Sequence, residues 1–188
     1  MLVIGIAGPS CSGKSTVSNA VARELTAPVV CLDYQYDRDL PHMFTDGVRT
    51  FERPELYRGD ELARISRELA QDGHSTFKEL KHRVEKTITL SASDYLILEG
   101  FILYQYESIR KICDLMFYID VPWDEMVRRR TARPTEPKTD EAFFKIGKIE
   151  TQTYVEPQKK MPKVIVLDGT QSTDSIAQQI VQRVLNEK

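Results

Sequence analysis

An eight-residue motif near the start of the chain could bind a polyphosphate. The segment from Gly8 to Ser15 matches the pattern G-x-x-x-x-G-K-[ST], with an apolar run before it and a helical pattern after it. Glycines let the main chain of such a loop approach a polyphosphate, and the N–H groups of the loop and of the helix start point at the anion. Lys14 can reach the β- and γ-phosphates, and the Ser15 hydroxyl can ligate Mg²⁺. The residues predicted to contact the nucleotide here are Gly8, Ser10, Cys11, Ser12, Gly13, Lys14, Ser15 and Thr16.

Two carboxylates follow apolar runs and could act on a bound triphosphate. Asp33 comes after Val29–Leu32, and Glu99 comes after Leu96-Ile97-Leu98. Ligands of parallel sheets bind at the carboxyl ends of the strands, where a carboxylate can ligate Mg²⁺ or accept the proton of an attacking hydroxyl. We therefore predict Asp33 and Lys14 as catalytic residues, and Ser15, Asp33 and Glu99 as metal ligands. The alternative for each acid is an ordinary strand-terminating residue, which is our interpretation of Asp120.

A cluster of arginines could close over the phosphates. Arg128, Arg129, Arg130 and Arg133 lie on one predicted helix, Trp123–Arg133, and the polar segment Pro134–Thr139 follows it. Arginine binds phosphate oxygens through a planar fork, so this helix and loop could form a lid that neutralises charge and excludes water. The alternative is a solvated basic face.

The elements that must position these residues alternate along the chain. The predicted buried strands are Leu2–Ala7, Val29–Leu32, Tyr95–Leu98, Leu115–Ile119 and Val164–Leu167. The predicted helices are Lys14–Leu25, Asp60–Gln71, Tyr106–Ile112, Trp123–Arg133, Asp140–Thr153 and Asp174–Asn186. This alternation predicts an α/β fold with a parallel sheet and right-handed crossovers. The segment Ser75–Leu90 interrupts it and is interpreted as a β-ribbon or an irregular flap.

Length and composition set the broad class of protein. The chain has 188 residues, 41% of them hydrophobic, which fits one domain of ordinary size, with a flap at about 75–90 and a lid at about 128–139. The net charge of −2 gives no reason to expect binding to nucleic acid or to a membrane surface. Cys11, Cys31 and Cys113 lack metal-type spacing and predict free thiols in a reducing compartment. Because Met1–Ala7 is better explained as a first strand than as a signal peptide, we expect a cytoplasmic protein.

The order of these motifs resembles the uridine kinase and nicotinamide riboside kinase group of P-loop kinases over nearly the whole chain. The segments that carry the resemblance are Gly8–Thr16, Asp33–Tyr36, Leu98–Leu103, Val127–Arg133 and Val166–Thr170. The resemblance implies a P-loop NTPase fold of the nucleoside-kinase type. Such a fold is a three-layer α/β/α structure with a five-stranded parallel sheet, a small β-flap and an arginine-bearing lid. It also implies ATP and Mg²⁺ as cofactors.

The same resemblance implies roles for particular residues. Asp33 would accept the proton of the acceptor hydroxyl, Arg129 and Arg133 would contact the ATP phosphates, and Arg129 would thereby be catalytic. Arg130 would contact the acceptor, and Glu52 would hold ribose hydroxyls, with a surface acid as the alternative for Glu52. Further residues expected near the acceptor are Tyr36, Glu99 and His82, and those expected near the adenine are Asp168 and Thr170. His82 lies in a flap segment that keeps only part of the uridine kinase pattern, so a solvated histidine is its alternative.

The expected function is transfer of the γ-phosphoryl group of ATP to the primary hydroxyl of a nucleoside or riboside, of the uridine/cytidine or nicotinamide riboside type. Other acceptors stay open, namely pantothenate, a phosphorylated sugar or a nucleoside monophosphate. A non-kinase nucleotide switch or an assembly ATPase is the alternative from another class, whereas a GTPase is disfavoured because the chain has no Asn-Lys-x-Asp sequence. The expected partner is a hydroxylated small molecule, and self-association is left open.

Overall fold

The strand that leads into the phosphate loop lies at the centre of a five-stranded parallel sheet. The computed structural model describes residues 1–37, 39–40, 44–45, 47–49, 51–81, 84–133 and 141–187. Numbered along the chain, the strands are β1 (Leu2–Ala7), β2 (Val29–Cys31), β3 (Phe44–Thr45), β4 (Val48–Arg49), β5 (His74–Lys81), β6 (Val84–Ser91), β7 (Tyr95–Gly100), β8 (Leu115–Asp120) and β9 (Val164–Asp168). The sheet has the order β2-β7-β1-β8-β9 and all its pairings are parallel, which confirms the predicted sheet.

Helices cover both faces of this sheet. They are α1 (Lys14–Leu25), α2 (Gly59–Asp72), α3 (Glu107–Ile112), α4 (Trp123–Thr131), α5 (Glu141–Glu150) and α6 (Thr173–Asn186). On one face, α1 and α6 pack on apolar side chains such as Ile4, Ile6 and Phe117. On the other face, α2 and α3 pack on Val3 and Leu98. Because both faces are covered, the strands are nearly continuous apolar runs, as the sequence predicted for an α/β fold.

A two-stranded antiparallel ribbon, β5 with β6, stands apart from the main sheet and confirms the interpretation of Ser75–Leu90. Phe77 is buried, and Ile88 and Leu90 pack with it against the core, while most of the remaining side chains of β6 are exposed. Gln35 holds the ribbon to the segment after β2 by donating from Nε2 to the carbonyl of Lys78, at 3.1 Å. The sequence pattern thus located the ribbon, because its apolar residues alternate only where one face is covered.

Two predicted helices end earlier than expected. The prediction Trp123–Arg133 was too long, since α4 ends at Thr131 and Arg133 lies beyond it. Arg133 precedes Pro134, and the residue before a proline is disfavoured in the helical conformation. The prediction Asp140–Thr153 also fails at its end, because α5 gives way to a π-helical turn at Thr151–Val155 and then to a 3₁₀ turn at Glu156–Lys160.

Two strand ends also differ from the prediction. β2 ends at Cys31, and Leu32–Tyr34 forms a 3₁₀ turn that carries Asp33. β7 continues through Gly100, so Glu99 lies inside the strand and not after it. Among the residues described, no helix combines the length and hydropathy needed to cross a bilayer.

Candidate active site

The phosphate loop connects β1 to α1 and takes a shape that requires glycine. Gly8 has φ +155°, and a Cβ there would lie 2.7 Å from the carbonyl oxygen of Ile119 and 2.9 Å from Oγ of Ser12. Gly13 caps α1 in the left-handed region with φ +92°. The loop therefore runs close to β8 and delivers the chain directly into the amino terminus of a twelve-residue helix, where unsatisfied N–H groups favour an anion.

Lys14 joins this loop to the carboxylates at the edge of the sheet. Its side chain is buried, its Nζ lies 3.8 Å from Oδ2 of Asp33, and the same atom is 5.8 Å from the centre of the Phe101 ring. Burial by itself lowers the pKa of Lys14, but the negative charges of Asp33 and Glu99 outweigh it, so the pKa is raised above its usual value. Lys14 is therefore held as a cation in a largely dry site.

Ser15 and Glu99 form a second contact at the same edge. The Ser15 hydroxyl donates to Oε1 and Oε2 of Glu99 at 3.0 and 3.1 Å, and Glu99 is buried. A hydroxyl and a carboxylate are oxygen ligands of the type that Mg²⁺ prefers. Within the described part of the chain no cluster of three or more His, Cys, Asp or Glu side chains suits a metal. The donor set fits Mg²⁺, which usually keeps several waters and takes its other ligands from substrate phosphates.

Asp33 presents a buried oxygen to the space beside Lys14. Its Oδ1 has no hydrogen-bond partner among the described residues. Burial raises the pKa of Asp33, the charge of Lys14 lowers it and that of Glu99 raises it, and the net pKa is above the usual value. A carboxylate with an unused buried oxygen is suited to accept a hydrogen bond from a ligand hydroxyl.

A cavity of about 240 Å³ opens beside these groups. Its lining residues are Ser10, Lys14, Asp33, Val48, Phe51, Glu52, Tyr57, Phe101, Arg130, Phe143, Ile146, Gly147 and Glu150. Aromatic rings surround three carboxylates and two cations, and this is the usual make-up of a small-molecule site, apolar walls with a few polar groups. The structure thus brings the predicted residues Ser10, Lys14, Asp33, Glu52 and Arg130 to one cavity.

Glu52 lies on the segment between β4 and α2, and its side chain lines the cavity. Its Oε2 accepts a hydrogen bond from the Thr151 hydroxyl at 2.7 Å. Burial is the main cause that raises the pKa of Glu52 to about 7; the Thr151 hydrogen bond opposes this rise, and the nearby charge of Glu150 adds to it. Glu52 therefore changes its charge close to neutral pH.

Two of the arginines lie against the phosphate loop. Arg130 donates from an Nη atom to Oγ of Ser10 at 3.0 Å and lies over the Phe143 ring, 4.8 Å from its centre. Arg129 donates to the carbonyl oxygens of Cys11 and Ser12 at 3.4 and 3.3 Å. These contacts hold α4 against the phosphate loop, while the closing lid stays a prediction.

Other predicted residues do not line the cavity. Tyr36 packs its ring against Tyr57, with 5.5 Å between centres, and against Phe51. Asp168 accepts from the N–H and the hydroxyl of Thr170, and these hydrogen bonds hold the pKa of Asp168 below its usual value. Arg133 and Thr16 are exposed.

Two predicted features have no structural account here. His82 and the loop Pro134–Thr139 lie outside the described residues. Asp120, interpreted as structural, forms an ion pair with Lys159, with 3.1 Å between Oδ2 of Asp120 and Nζ of Lys159.

Several cavity residues were missed from the sequence. They are Val48, Phe51, Tyr57, Phe101, Phe143, Ile146, Gly147 and Glu150. Half of them come from α5, which the sequence identified only as a helix. The pair Phe143-Phe144, followed by Gly147 about one turn later, was the available signal, because two adjacent aromatic residues on a helix indicate a second packed face.

These features define a class of protein. A glycine-rich loop runs from the central strand of a parallel sheet into a helix, carboxylates stand at the carboxyl edge, and an arginine helix lies over the loop. This is the arrangement of P-loop phosphotransferases, in which positioning and charge stabilisation of the phosphates supply most of the catalysis.

Comparisons with known proteins narrow the class to a family. A family model described as "AAA domain" matches residues 4–156. A uridine kinase from Staphylococcus epidermidis (strain ATCC 12228) is 30% identical over 183 residues, covering 89% of this chain and 87% of that protein. The chain belongs to the uridine kinase family of AAA-domain P-loop proteins. It is therefore a kinase that transfers phosphate to a hydroxyl group of a small molecule, and its family implies the use of ATP.

Solved structures agree with this fold. The structure of a possible uridine kinase from Bacillus stearothermophilus matches with a TM-score of 0.55 at 24% identity, covering 87% of this chain and 88% of that one. Shikimate kinase from Acinetobacter baumannii, solved in complex with shikimate, matches with a TM-score of 0.59 at 16% identity, covering 100% of this chain and 95% of that one. At these identities the likeness concerns the fold.

Proposed function

We propose that the chain transfers the γ-phosphoryl group of ATP to the primary hydroxyl of a nucleoside, of the kind that its uridine kinase relatives are named for. The observation that carries the proposal is the 3.8 Å contact between Nζ of Lys14, a residue of the phosphate loop, and Oδ2 of Asp33, which lines the cavity. On one side of this contact is the phosphate loop, and on the other is the cavity that contains Glu52. A donor phosphate and an acceptor hydroxyl can therefore meet at Asp33.

The residues present divide the chemistry between them. Asp33 orients the acceptor hydroxyl and takes its proton as the hydroxyl oxygen bonds to the γ-phosphorus and the bond to the β-γ bridging oxygen breaks. Lys14 and Arg129 balance the charge on the phosphates during this transfer, and Arg130, which lines the cavity, contacts the acceptor. Ser15 and Glu99 would hold Mg²⁺, which when bound neutralises phosphate charge and fixes the geometry of the transfer.

Glu52 supports a sugar as the acceptor. An ionised carboxylate accepts hydrogen bonds from two neighbouring hydroxyls, and Glu52 stands in a cavity whose aromatic walls suit a planar base.

The same proposal includes a cytoplasmic location. In that reducing compartment the thiols of Cys11, Cys31 and Cys113, which are free in the structure, would stay reduced.

The test measures ADP release from MgATP with and without a panel of acceptors. The panel contains uridine, cytidine, nicotinamide riboside, pantothenate and fructose 6-phosphate. A pyrimidine nucleoside should stimulate ADP release well above the rate without acceptor. Stimulation by none of the nucleosides would overturn the proposed acceptor class, and stimulation by none of the panel would favour a nucleotide switch.

Lys14→Ala tests the nucleotide half of the proposal. Loss of the buried cation should weaken MgATP binding and reduce turnover, because Lys14 contacts the phosphates that both steps need. Normal affinity and turnover in this variant would contradict the assignment of the phosphate loop.

A further inference from the structure

Glu125 on α4 has no place in the chemistry above, yet its carboxylate organises the arginines of that helix. Its Oε1 accepts a hydrogen bond from Nε of Arg129 at 2.7 Å. Arg128 donates to both carboxylate oxygens from Nε and one Nη atom, also at 2.7 Å. The carboxylate is therefore fixed by one arginine, Arg128, while it holds another, Arg129.

Arg129 connects three parts of the nucleotide half of the site. Besides its contact with Glu125, it donates from one Nη atom to the carbonyls of Cys11 and Ser12 and from the other to the carbonyl of Gly169, at 2.9 Å. All three nitrogen atoms of its guanidinium are thus hydrogen-bonded to protein oxygens. One rigid plane links α4, the phosphate loop and the turn after β9.

The direction of this plane depends on Glu125. A guanidinium presents its donors in a fixed fork, so anchoring Nε sets where both Nη atoms point. Hydrogen bonds from Arg128 and Arg129 lower the pKa of Glu125 to about 2, so the anchor is charged at every working pH. Without this anchor, Arg129 could still form the Nη contacts, but it would lose its preferred orientation.

This contact differs from an ordinary helix-surface pair on the same chain. Glu107 and Lys111 of α3 also form a pair four residues apart, at 2.8 Å, but their side chains are 69% and 72% exposed. Glu125 and Arg129 are 23% and 26% exposed, and the Arg129 end reaches other segments of the chain. An exposed pair of the first kind adds little beyond local helix stability.

We propose that Glu125 is a positioning residue for nucleotide binding, which orients Arg129 so that the phosphate loop and the turn at Gly169 keep the spacing that ATP requires. The proposal rests on the proposed function, because it assumes that this loop binds MgATP. It also assigns Arg129 a role through the main chain of the loop, in addition to any contact with phosphate.

The first test compares Glu125→Gln with wild type by titration calorimetry, using the MgATP analogue AMP-PNP. The variant should bind about five- to tenfold more weakly, the range of a modest coupling between two sites. Its KM for MgATP should rise by a similar factor, while its KM for the acceptor stays within about twofold of wild type. Glu107→Gln, the matched control, should change neither constant.

The second test is a double-mutant cycle with Arg129→Ala. If Glu125 acts through Arg129, then Glu125→Gln should have no further effect on AMP-PNP affinity once Arg129 has been removed. Additive losses would overturn the proposal, as would unchanged affinity in Glu125→Gln. If wild type itself fails to bind AMP-PNP, the proposed function fails first, so the two failures are distinguishable. A fall in Tm equal to that of Glu107→Gln, without a change in affinity, would show Glu125 to be merely structural.

Discussion

Asp33 combines a buried carboxylate oxygen with a lysine partner, and this combination decides how the residue can act. Burial favours its neutral form, whereas Lys14 favours the charged form, and the balance leaves the pKa above the usual value. A carboxylate of this kind keeps enough basicity to orient a hydroxyl and to take its proton at the moment of transfer.

Asp33→Asn should bind MgATP normally but transfer phosphate at least about 100-fold more slowly, because an amide cannot take the proton. Single-turnover assays with a nucleoside acceptor measure the rate, and calorimetry measures the binding. Asp39→Asn is the matched control, because it makes the same change at a carboxylate that is largely exposed. A variant at position 33 with an unchanged rate would remove Asp33 from the mechanism.

Glu52 should give acceptor binding a pH dependence near neutrality. Its pKa is raised to about 7, so the ionised form that accepts two hydroxyl donors predominates only above that pH. The KM for the acceptor should therefore fall as the pH rises from about 6 to 8. Glu52→Gln should have a high KM for the acceptor that changes little with pH over this range. A profile identical to that of wild type would show that another group, such as the nucleotide, is responsible.

The raised pKa of Glu52 should also make the stability of the fold depend on pH. The carboxyl of Glu52 has a pKa of 4.5 in the unfolded chain and of about 7 in the folded protein. The folded state therefore becomes less stable relative to the unfolded state as the pH rises between these values. Wild type should lose free energy of unfolding across this window, and Glu52→Gln should lose less. Denaturant unfolding at pH 4.5 and pH 8 measures the difference, and equal losses in both proteins would contradict the burial of this carboxyl.

At the scale of elements, the phosphate loop depends on its close approach to β8. Gly8→Ala places a Cβ against the Ile119 carbonyl, which is main chain and cannot turn away. We expect a loss of about 1–3 kcal/mol in the free energy of unfolding and at least a tenfold loss of MgATP affinity, because the loop must shift. Denaturant unfolding and calorimetry check these two effects.

Gly73→Ala separates backbone strain from the steric clash. Gly73 follows α2 with φ +76°, and a Cβ there would have no heavy atom within 4 Å. This variant should lose about 1 kcal/mol through strain alone, with normal MgATP affinity. Normal nucleotide binding in Gly8→Ala as well would contradict the role of the close approach.

The sequence predicted those elements whose causes are local. β1, the phosphate loop and α1 follow from consecutive residues, so their bounds agree with the structure. The predicted end of α4 at Arg133 was wrong, because Arg133 precedes Pro134 and a residue in that position is disfavoured in the helical conformation. The π-helical and 3₁₀ turns after α5 were missed, although Pro157, in the second turn, disfavours a continued helix. The buried side chain of Gln158 also holds this segment, since it donates to the carbonyl of Phe101 and accepts from the N–H of Tyr104.

The candidate site was predictable to a similar degree. Residues placed by the loop motif or by a strand end, such as Lys14 and Asp33, could be found from spacing. Tyr57, Phe143 and Glu150 could not, because they reach the cavity from segments whose approach is set by packing. Glu125 was missed for another reason, since its sequence signal, an acid four residues before an arginine, is common to many solvent-facing helices.

At the scale of the whole molecule, ligand binding should stabilise the fold. AMP-PNP with Mg²⁺ at 100 times its dissociation constant should add about 2.7 kcal/mol to the free energy of unfolding. For a chain of this length that corresponds to a rise in Tm of roughly 5–10 °C. Lys14→Ala should show little of this rise under the same conditions. A pyrimidine nucleoside should add a further rise only if it binds the folded protein.

The cavity walls come from connections between strands, and this has a consequence for redesign. Phe51, Glu52 and Tyr57 lie on the link between β4 and α2, and Phe143 and Glu150 lie on α5. The phosphate loop, in contrast, connects β1 to α1. If the cavity binds the acceptor, as proposed, exchange of those two connections should alter which alcohol is phosphorylated while leaving the phosphate loop in place. The scaffold therefore offers a modular starting point for kinases with new acceptors.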